Sequence, residues 1–424
     1  MSDPTAGLQI TATGGVPGWT VDDLVRPGLR RNPRRAHLWV STVLGKHIPV
    51  APSRVVGAAE ALADHVVATT HIDVGTPTVF GFAETATGLG HCVARRLHAP
   101  VYLQSTRRAV PAVPTTARFV EGHSHATDHL VQPTSRGLLP ADRPCVLVDD
   151  EISTGATAIA AIAALQPTVR ASSWVVAALV DLRGDDDRAR CDALARRSGV
   201  RVEFVALATG SAVIPPDLVD RVAALPDPPS PDVGSSEGTV TRLRTAWPAD
   251  VPDSGRHGTL EREAAELDEA ICRIADAVVS PIDADRPVLV LGHEEFMYLP
   301  LRVGAALEDR GWSVTSQTTT RSPAFVADRA GYPLRHGFAF TAPEPDSARG
   351  RHGTRHLYNA AADDPRTQRV LIVDPPSDTA ALVAPGGVVE ALTADGRDLL
   401  LVVSGGTSFD ALARARADAH EAIE

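Results

Sequence analysis

Residues 145–157 read Cys-Val-Leu-Val-Asp-Asp-Glu-Ile-Ser-Thr-Gly-Ala-Thr, an apolar run followed by acids, hydroxyls and a glycine. The apolar run predicts a buried strand, and the alanine-rich residues 156–165 predict a helix. Gly155 lets the backbone approach a ligand closely, and the first N–H groups of a helix attract an anion. The stretch therefore predicts a phosphate site at a strand-to-helix turn.

The side chains of this turn suit a sugar phosphate. Ser153, Thr154 and Thr157 offer hydroxyl groups, and Asp149 and Asp150 can accept hydrogen bonds from two neighbouring ribose hydroxyls. The alternative is that the two acids only end a strand and cap a helix. That alternative explains neither the paired acids nor the three hydroxyls.

Length and charge limit the class of protein. A chain of 424 residues with 44% hydrophobic residues is long enough for two cores, so we expect at least two domains. The formal net charge of −11 argues against a nucleic-acid partner, which would require a clustered basic surface. A local basic patch at residues 30–35 remains the alternative.

The cysteines and the apolar runs bear on the compartment. The four cysteines show no CxxC spacing, so we expect buried thiols in a reducing compartment and neither a zinc site nor a disulfide framework. Residues 1–18 lack a signal-peptide pattern, and no apolar run approaches the roughly 20 residues needed to cross a bilayer. We expect a soluble, cytoplasmic protein with no membrane partner.

The first half of the chain predicts an α/β domain with a mainly parallel sheet. Strands are predicted at residues 78–82, 101–104, 145–148 and 174–179, with a turn at 83–90 and a helix at 91–97. Residues 109–143 are long and polar, which is typical of a mobile loop or hairpin over a site.

A composition change predicts the domain boundary. Residues 226–258 are rich in proline and glycine and are predicted to be a linker, which leaves a first domain at 1–225 and a second at 259–424. Apolar positions at helical spacing predict a helix over 260–279.

The second domain resembles a copy of the first. Residues 288–310 parallel residues 78–97, residues 316–322 parallel 103–108, and residues 370–379 parallel 146–154. Glu295 falls where Glu84 falls, and Pro375 replaces the second acid, so the copy lacks the diol clamp. Chance similarity between two α/β units is the alternative, because strand–turn–helix order alone produces much of it.

Together these segments resemble the type I phosphoribosyltransferases, in which a loop like 145–157 binds phosphoribosyl pyrophosphate (PRPP). Within that family the chain resembles one branch, in which an orotate-phosphoribosyltransferase-like domain is fused to a domain named for the signature Thr-Arg-Ser-Pro. The signature lies here at residues 320–323. Members of this branch are found in bacterial tellurium-resistance and stress gene clusters. Residues 32–35, 43–47, 121–128 and 292–296 carry the rest of the resemblance.

The resemblance implies a Rossmann-like sheet and a Mg²⁺-dependent transfer of ribose 5-phosphate from PRPP to a small nucleobase-like or specialised acceptor, with release of diphosphate. The Mg²⁺ would arrive with PRPP, near Asp149 and Asp150, and its protein ligands stay open. A homodimer is expected because dimers are common in the superfamily. The PRPP-binding residues implied are Asp149, Asp150, Ser153, Thr154, Gly155, Ala156 and Thr157.

The resemblance also implies a diphosphate-binding loop after the first core strand, at Glu84, Thr85 and Ala86. Glu84 departs from the common pattern, because an acid beside diphosphate must face Mg²⁺ or a cationic group. A simple strand-to-helix connector is the alternative.

Candidate catalytic residues follow the next strand and lie in the polar segment over the site. Arg107, with Arg108 beside it, is a candidate partner of the diphosphate, because guanidinium groups match phosphate oxygens. A histidine in the segment could protonate the leaving group or orient the acceptor. Solvated arginines and histidines without a direct role are the alternatives. The catalytic candidates are Arg107, His123, His125 and Asp128, and His129 lies in the same segment. Lys46 and His47 form a polar pair near the N-terminus, in a region that the resemblance implies helps to build a hood over the acceptor.

Two other functions remain open. One is a PRPP-sensing regulator without turnover, and the other is a hydrolase or phosphorylase acting on a phosphoriboside. In the second domain, acids, arginine and histidines could form a further site, which we do not expect to bind PRPP: Glu294, Glu295, Arg321, His352 and His356.

Overall fold

The computed structural model describes residues 5, 7–110, 113–120, 128–135, 138–226, 238–345, 351–360 and 364–421. These residues form two α/β units, each built on a mainly parallel sheet. Within the described part of the chain, no helix combines the length and apolar character that a membrane span requires.

Among the residues that the structure describes, the first unit contains ten strands and six α-helices. The strands are β1 (Gln9–Gly15), β2 (Val25–Leu29), β3 (His37–Ser41), β4 (Thr78–Gly81), β5 (Val101–Gln104), β6 (Ala117–Val120), β7 (Asp128–Val131), β8 (Cys145–Ile152), β9 (Trp174–Asp181) and β10 (Val202–Val213). The helices are α1 (Val21–Leu24), α2 (Pro52–Thr69), α3 (Ala86–Arg96), α4 (Ala156–Val169), α5 (Asp185–Ser198) and α6 (Leu218–Ala223).

The second unit contains the remaining elements. Its strands are β11 (Val240–Thr245), β12 (Thr259–Leu260), β13 (Val288–Gly292), β14 (Val314–Thr318), β15 (Gly337–Pro345), β16 (His352–Tyr358), β17 (Gln368–Val373) and β18 (Leu399–Ser404). Its helices are α7 (Ala264–Val279), α8 (Tyr298–Glu308), α9 (Ala380–Val383), α10 (Val388–Thr393) and α11 (Phe409–Glu421).

The two sheets share the order of four of their strands. The first sheet runs β1-β10-β9-β8-β4-β5-β12, and the second runs β11-β18-β17-β13-β14. The four central strands β9-β8-β4-β5 correspond to β18-β17-β13-β14 in spatial order, chain order and parallel pairing. Each unit also inserts an antiparallel hairpin at the same point, β6–β7 or β15–β16. The second unit therefore repeats the central topology of the first.

The units are joined by a common core. Alternate residues of β13 point to opposite faces of its sheet, so Val288 and Val290 pack into the large cluster that also contains Val79 of the first unit. Leu289 and Leu291 pack into a smaller cluster on the far side. Backbone hydrogen bonds also connect the two units, because β12 of the second unit pairs antiparallel with β5 of the first.

The mainly parallel α/β fold and the predicted strands are confirmed, whereas several boundaries differ. Helix α3 begins at Ala86, five residues before the predicted start, because small residues there pack against the second unit: a Cβ on Gly88 would lie 3.1 Å from Cβ of Met297. Strand β8 continues to Ile152, so Asp149 and Asp150 belong to the strand.

The range predicted as a linker is partly ordered. Within residues 226–258, the segment Val240–Thr245 is an edge strand that pairs with β18, and Gly255–His257 forms a 3₁₀ turn. The predicted helix over 260–279 begins only at Ala264, because Leu260 pairs with Val101 in β12 and β5. Long-range backbone pairing, which local composition does not encode, accounts for both differences.

Candidate active site

A cavity of about 160 Å³ lies at the carboxyl ends of strands β4, β5 and β8. Parallel strands deliver their polar ends to one edge of a sheet, which is where ligands bind in open α/β folds. Both units contribute to the walls. The lining side chains are those of Arg30, Arg35, Leu38, Trp39, Lys46, His47, Phe82, Ala83, Glu84, Thr85, Arg107, His129, Asp149, Asp150, Glu151, Ile152, Ser153, Thr154, Thr157, Ala158, Val176, Thr320, Arg321 and Ser322, with Gly155.

The turn after β8 has the geometry expected of an anion site. Gly155 precedes α4 with φ of +75°, a conformation that favours glycine, and a Cβ there would lie 2.6 Å from Sγ of Cys191. The backbone N–H of Ala156 donates to Oγ1 of Thr154 at 3.4 Å. Ala156 itself begins the helix, is exposed and does not line the cavity. The other six predicted PRPP-binding residues do.

The turn after β4 places an acid among cations. Glu84 is buried and follows a cis peptide bond from Ala83. Burial opposes ionisation of Glu84, but Lys46, Arg321 and Arg107 outweigh it and hold the pKa of the carboxyl below its usual value. Lys46 also donates to Oγ1 of the neighbouring Thr85. The predicted residue Ala86 is buried in the first turn of α3 and does not line the cavity.

Arg107 lines the cavity and is held there by contacts with Ala83 and His129. Its Nη2 donates to the carbonyl oxygen of Ala83 at 3.2 Å and lies 3.2 Å from Nε2 of His129. The other ring nitrogen of His129 lies 2.9 Å from Oγ of Ser105, which fixes the orientation of the ring. Asp128 is exposed and is not among the cavity residues. The predicted residues His123 and His125 lie outside the described residues.

Arg108 points away from this cavity, contrary to its predicted role beside the diphosphate. Its guanidinium lies 2.9 Å from Glu344, 3.2 Å from Asp374 and 3.4 Å from Glu294, all carboxylates of the second unit. Burial disfavours its charge, but the carboxylates outweigh this and raise its pKa. The physical reason is that the chain bends at these two residues, so Arg107 meets the carbonyl oxygen of Ala83 and Arg108 meets carboxylates of the second unit.

Sequence reasoning missed a polar pair at the hood, the β2–β3 ribbon that covers the cavity. Arg35 pairs with Glu151, and both side chains are 15% exposed. Burial raises the pKa of Glu151, while Arg35 opposes that effect. The available signal is a third acid directly after Asp149 and Asp150, whereas the sequence around Arg35 indicates only a local basic patch.

His47 and two acids of the second unit, Glu294 and Glu295, are buried. His47 is buried against the ring of Tyr358, and burial, with Lys46 and Arg30, holds its pKa well below the usual value. Neutral His47 therefore serves as a wall of the cavity. Of the second-unit candidates, Arg321 lines the cavity, whereas Glu294 and Glu295 are buried in the contact between units.

Three buried side chains of the second unit, His293, Glu294 and Glu344, lie close enough to share a metal ion. Three arginines already pair with these carboxylates, so the local charge is balanced by the protein itself. This donor set does not fit a cation site. The arginines are Arg108, Arg321 and Arg355.

Stability should depend on pH through His257, which lies in the turn before β12. Its Nδ1 lies 2.8 Å from the carbonyl oxygen of Gln132, and burial lowers its pKa from 6.5 to about 4. Between about pH 4 and pH 6.5 the unfolded chain therefore binds a proton that the folded chain does not. Between pH 7 and pH 5 this group should remove roughly 2 kcal/mol of stability.

Urea unfolding at pH 7 and pH 5 tests this expectation. The variant His257→Gln should show a difference between the two pH values that is smaller by roughly 2 kcal/mol than that of the unmodified chain. His71→Gln, at an exposed position, is the matched control and should leave the difference unchanged. Equal pH dependence in all three proteins would contradict the assignment.

Comparisons with known proteins agree with the geometry. The family described as phosphoribosyl transferase matches residues 24–211, and the TRSP domain, described as C-terminal to that transferase, matches residues 253–392. The two matches span more than three quarters of the chain. None of the curated proteins compared with the chain matches it.

Solved structures similar to this chain include three adenine phosphoribosyltransferases. The Rhodothermus marinus protein is 21% identical, with a TM-score of 0.32 and 44% of this chain and 96% of that chain covered. The Trypanosoma brucei protein, solved with AMP, pyrophosphate and ribose-5-phosphate, is 16% identical, with a TM-score of 0.33 and coverage of 45% and 77%. The Giardia lamblia protein, solved with 9-deazaadenine, is 18% identical, with a TM-score of 0.32 and coverage of 44% and 96%.

The fold, the loop after β8 and the family match together define a phosphoribosyltransferase. The chain belongs to the branch in which this domain is followed by a TRSP domain, and its Thr-Arg-Ser-Pro signature lies inside the matched range. The predicted family and fold are therefore confirmed.

Proposed function

We propose that the chain transfers ribose 5-phosphate from PRPP to a small acceptor in the presence of Mg²⁺ and releases diphosphate. The observation that carries this proposal is that the loop after β8, the turn after β4 and Arg107 all line the same cavity. The loop after β8 matches the ribose 5-phosphate part of PRPP, and the turn after β4 with Arg107 matches its diphosphate.

The loop after β8 would hold the ribose 5-phosphate end. Ser153, Thr154 and Thr157 line the cavity beside the N-terminus of α4, where backbone N–H groups favour an anion. Asp149 and Asp150 stand at the end of the same strand, and Oδ1 of Asp149 accepts from the N–H of Asp150 at 2.9 Å. Their carboxylates would accept hydrogen bonds from the ribose diol.

The turn after β4 would hold the leaving diphosphate. Lys46 and Arg107 bring positive charge to this side of the cavity, around Glu84. Charge develops on diphosphate as its bond to the ribose carbon breaks, so fixed cations there stabilise the transition state more than the ground state. The same bond breaking leaves positive charge on the ribose, which Asp149 and Asp150 would stabilise.

Mg²⁺ is expected to bind with PRPP. Asp149 and Asp150 offer carboxylate oxygens at the cavity, and Mg²⁺ prefers oxygen ligands from carboxylates and phosphates. The donor set therefore fits this ion. When bound, Mg²⁺ would supply charge neutralisation of the diphosphate leaving group.

The acceptor would lie under the hood. Leu38 and Trp39 of β3 and Phe82 after β4 form an apolar wall of the cavity, and the Arg35–Glu151 pair lies on the polar side. An apolar wall with a few placed polar groups suits a planar, nucleobase-like molecule. The reaction would form a bond from an acceptor atom to the ribose carbon while the bond to diphosphate breaks.

Calorimetric titration of PRPP with and without Mg²⁺, followed by an acceptor screen for diphosphate release, tests the proposal. We expect Mg²⁺-dependent binding of PRPP and diphosphate release with at least one acceptor. PRPP binding without diphosphate release, whichever acceptor is added, would favour a PRPP sensor. Breakdown of a phosphoriboside, examined with and without added diphosphate, would favour the hydrolase or phosphorylase. Absence of PRPP binding would contradict the proposal.

A further inference from the structure

The two units contact each other by a reciprocal exchange of bonds. Glu84 of the first unit accepts from the backbone N–H of Arg321 at 3.3 Å. Glu295, at the corresponding position of the second unit, accepts from the backbone N–H of Arg107 at 3.0 Å. Each acid thus binds the segment that follows the neighbouring strand of the other unit.

The exchanged segments also have the same internal structure. The N–H of Arg108 donates to Oγ1 of Thr106 at 3.0 Å, and the N–H of Ser322 donates to Oγ1 of Thr320 at 3.1 Å. Each threonine bonds as well to a hairpin strand of its own unit, β7 or β16. The segments 106–108 and 320–322 are therefore structural counterparts, each held against the opposite unit.

This exchange places a cation of the second unit at the cavity of the first unit. Arg321 lines the cavity, is 16% exposed, and its Nε lies 3.8 Å from Oε2 of Glu84. Its Nη2 donates to Oε2 of Glu294 at 2.7 Å, which holds the guanidinium in place. Positive charge from the second unit therefore stands beside the turn to which the proposed function assigns diphosphate.

The consequence for the second unit is a closed site. Arg108 enters the place that corresponds to the cavity and meets Glu344 and Asp374, with Oγ of Ser377 at 3.2 Å from its Nη1. Asp374 follows β17 as Asp149 stands at the end of β8, and it is buried here under Arg108 and Arg256. Protein groups occupy the positions that a ligand would need.

From this exchange we infer that Arg321, the arginine of the Thr-Arg-Ser-Pro signature, binds the diphosphate of PRPP at the first unit's site. The inference rests on the proposed function and assigns a binding role to the second unit. A guanidinium fork matches two phosphate oxygens, and its charge adds to those of Lys46 and Arg107. One site per chain is expected, because the counterpart place in the second unit is closed.

Calorimetric titration with inorganic diphosphate and, separately, with ribose 5-phosphate tests the inference, using the variant Arg321→Gln. Loss of charge-assisted hydrogen bonds should weaken diphosphate binding by roughly 10- to 100-fold. Binding of ribose 5-phosphate, which uses the loop after β8, should change less than about threefold. Arg335→Gln removes an exposed arginine paired with Asp328 and is the matched control.

Arg321→Lys keeps the charge without the fork and should show an intermediate loss of diphosphate affinity, so the test stands even if Arg321→Gln unfolds. Unchanged diphosphate affinity in these variants, or an equal loss for both ligands, would overturn the inference while the proposed function stands. Two diphosphate sites per chain would also overturn it. Failure of the unmodified chain to bind PRPP or ribose 5-phosphate would instead remove the proposed function.

Discussion

Replacement of both Asp149 and Asp150 by asparagine is expected to lower the affinity for PRPP by on the order of 100-fold or more. Each carboxylate would accept a hydrogen bond from a ribose hydroxyl, and a hydrogen bond to a charged group contributes about 1.5–3 kcal/mol. Asparagine preserves the shape of each side chain while it removes the charge that also favours Mg²⁺. The loss should therefore concern binding and leave the fold intact.

Calorimetry with PRPP and Mg²⁺ measures this effect directly. The matched control is the pair Asp185→Asn and Asp186→Asn, which removes two exposed acids from the first turn of α5 and changes the net charge equally. The control should bind PRPP like the unmodified chain. If the variant of Asp149 and Asp150 bound equally well, the ribose could not lie at the end of β8.

Replacement of Arg108 by methionine is expected to lower the free energy of unfolding by about 3–5 kcal/mol, the typical cost of removing one partner from a buried ion pair. The side chain of Arg108 is 9% exposed and faces Glu294, Glu344 and Asp374, whose side chains are at most 10% exposed. Without the guanidinium, buried carboxylates lose a countercharge in the contact between the units. The effect therefore tests whether that contact stabilises the whole chain.

Urea unfolding of Arg108→Met, Glu344→Gln and the double variant separates the pair from its surroundings. We expect the double variant to lose less stability than the sum of the single losses, because Glu344→Gln removes one of the carboxylates that Arg108→Met leaves without its countercharge. Arg96→Met, which breaks an exposed pair with Asp64, should have a small effect and serves as the control. A loss for Arg108→Met as small as for Arg96→Met would contradict a stabilising network.

Through the reciprocal contacts, the second unit contributes residues 320–322 to the cavity of the first unit. The altered loop after β17 gives no indication of this contribution. Pro375 stands where the first unit has Asp150, and the turn Pro375–Ser377 is a 3₁₀ helix with Ser377 buried. The strand order is nevertheless retained, so the second unit still presents residues 320–322 to the first. Retained topology and altered chemistry together explain how a site can draw on both units.

Local sequence determined the parts of this protein whose physics is local. The run at residues 145–157 encodes a buried strand, a glycine with positive φ and a helix N-terminus within a few residues, so the loop could be predicted from the printed chain. The sequence of strands and helices along the chain and the resemblance between the units followed from similar short patterns. Each of these features depends on neighbours in the chain.

Tertiary structure alone decided which side chains meet. Arg107 and Arg108 are adjacent and chemically alike, but one lines the cavity and the other contacts carboxylates of the second unit, because the chain bends at these residues. Likewise, Arg321 is more than 200 residues from Glu84 in the chain, and only the packing of the two sheets brings them together. The sequence predicted that Glu84 must face Mg²⁺ or a cationic group, but only the packed molecule decided that Lys46, Arg107 and Arg321 surround it.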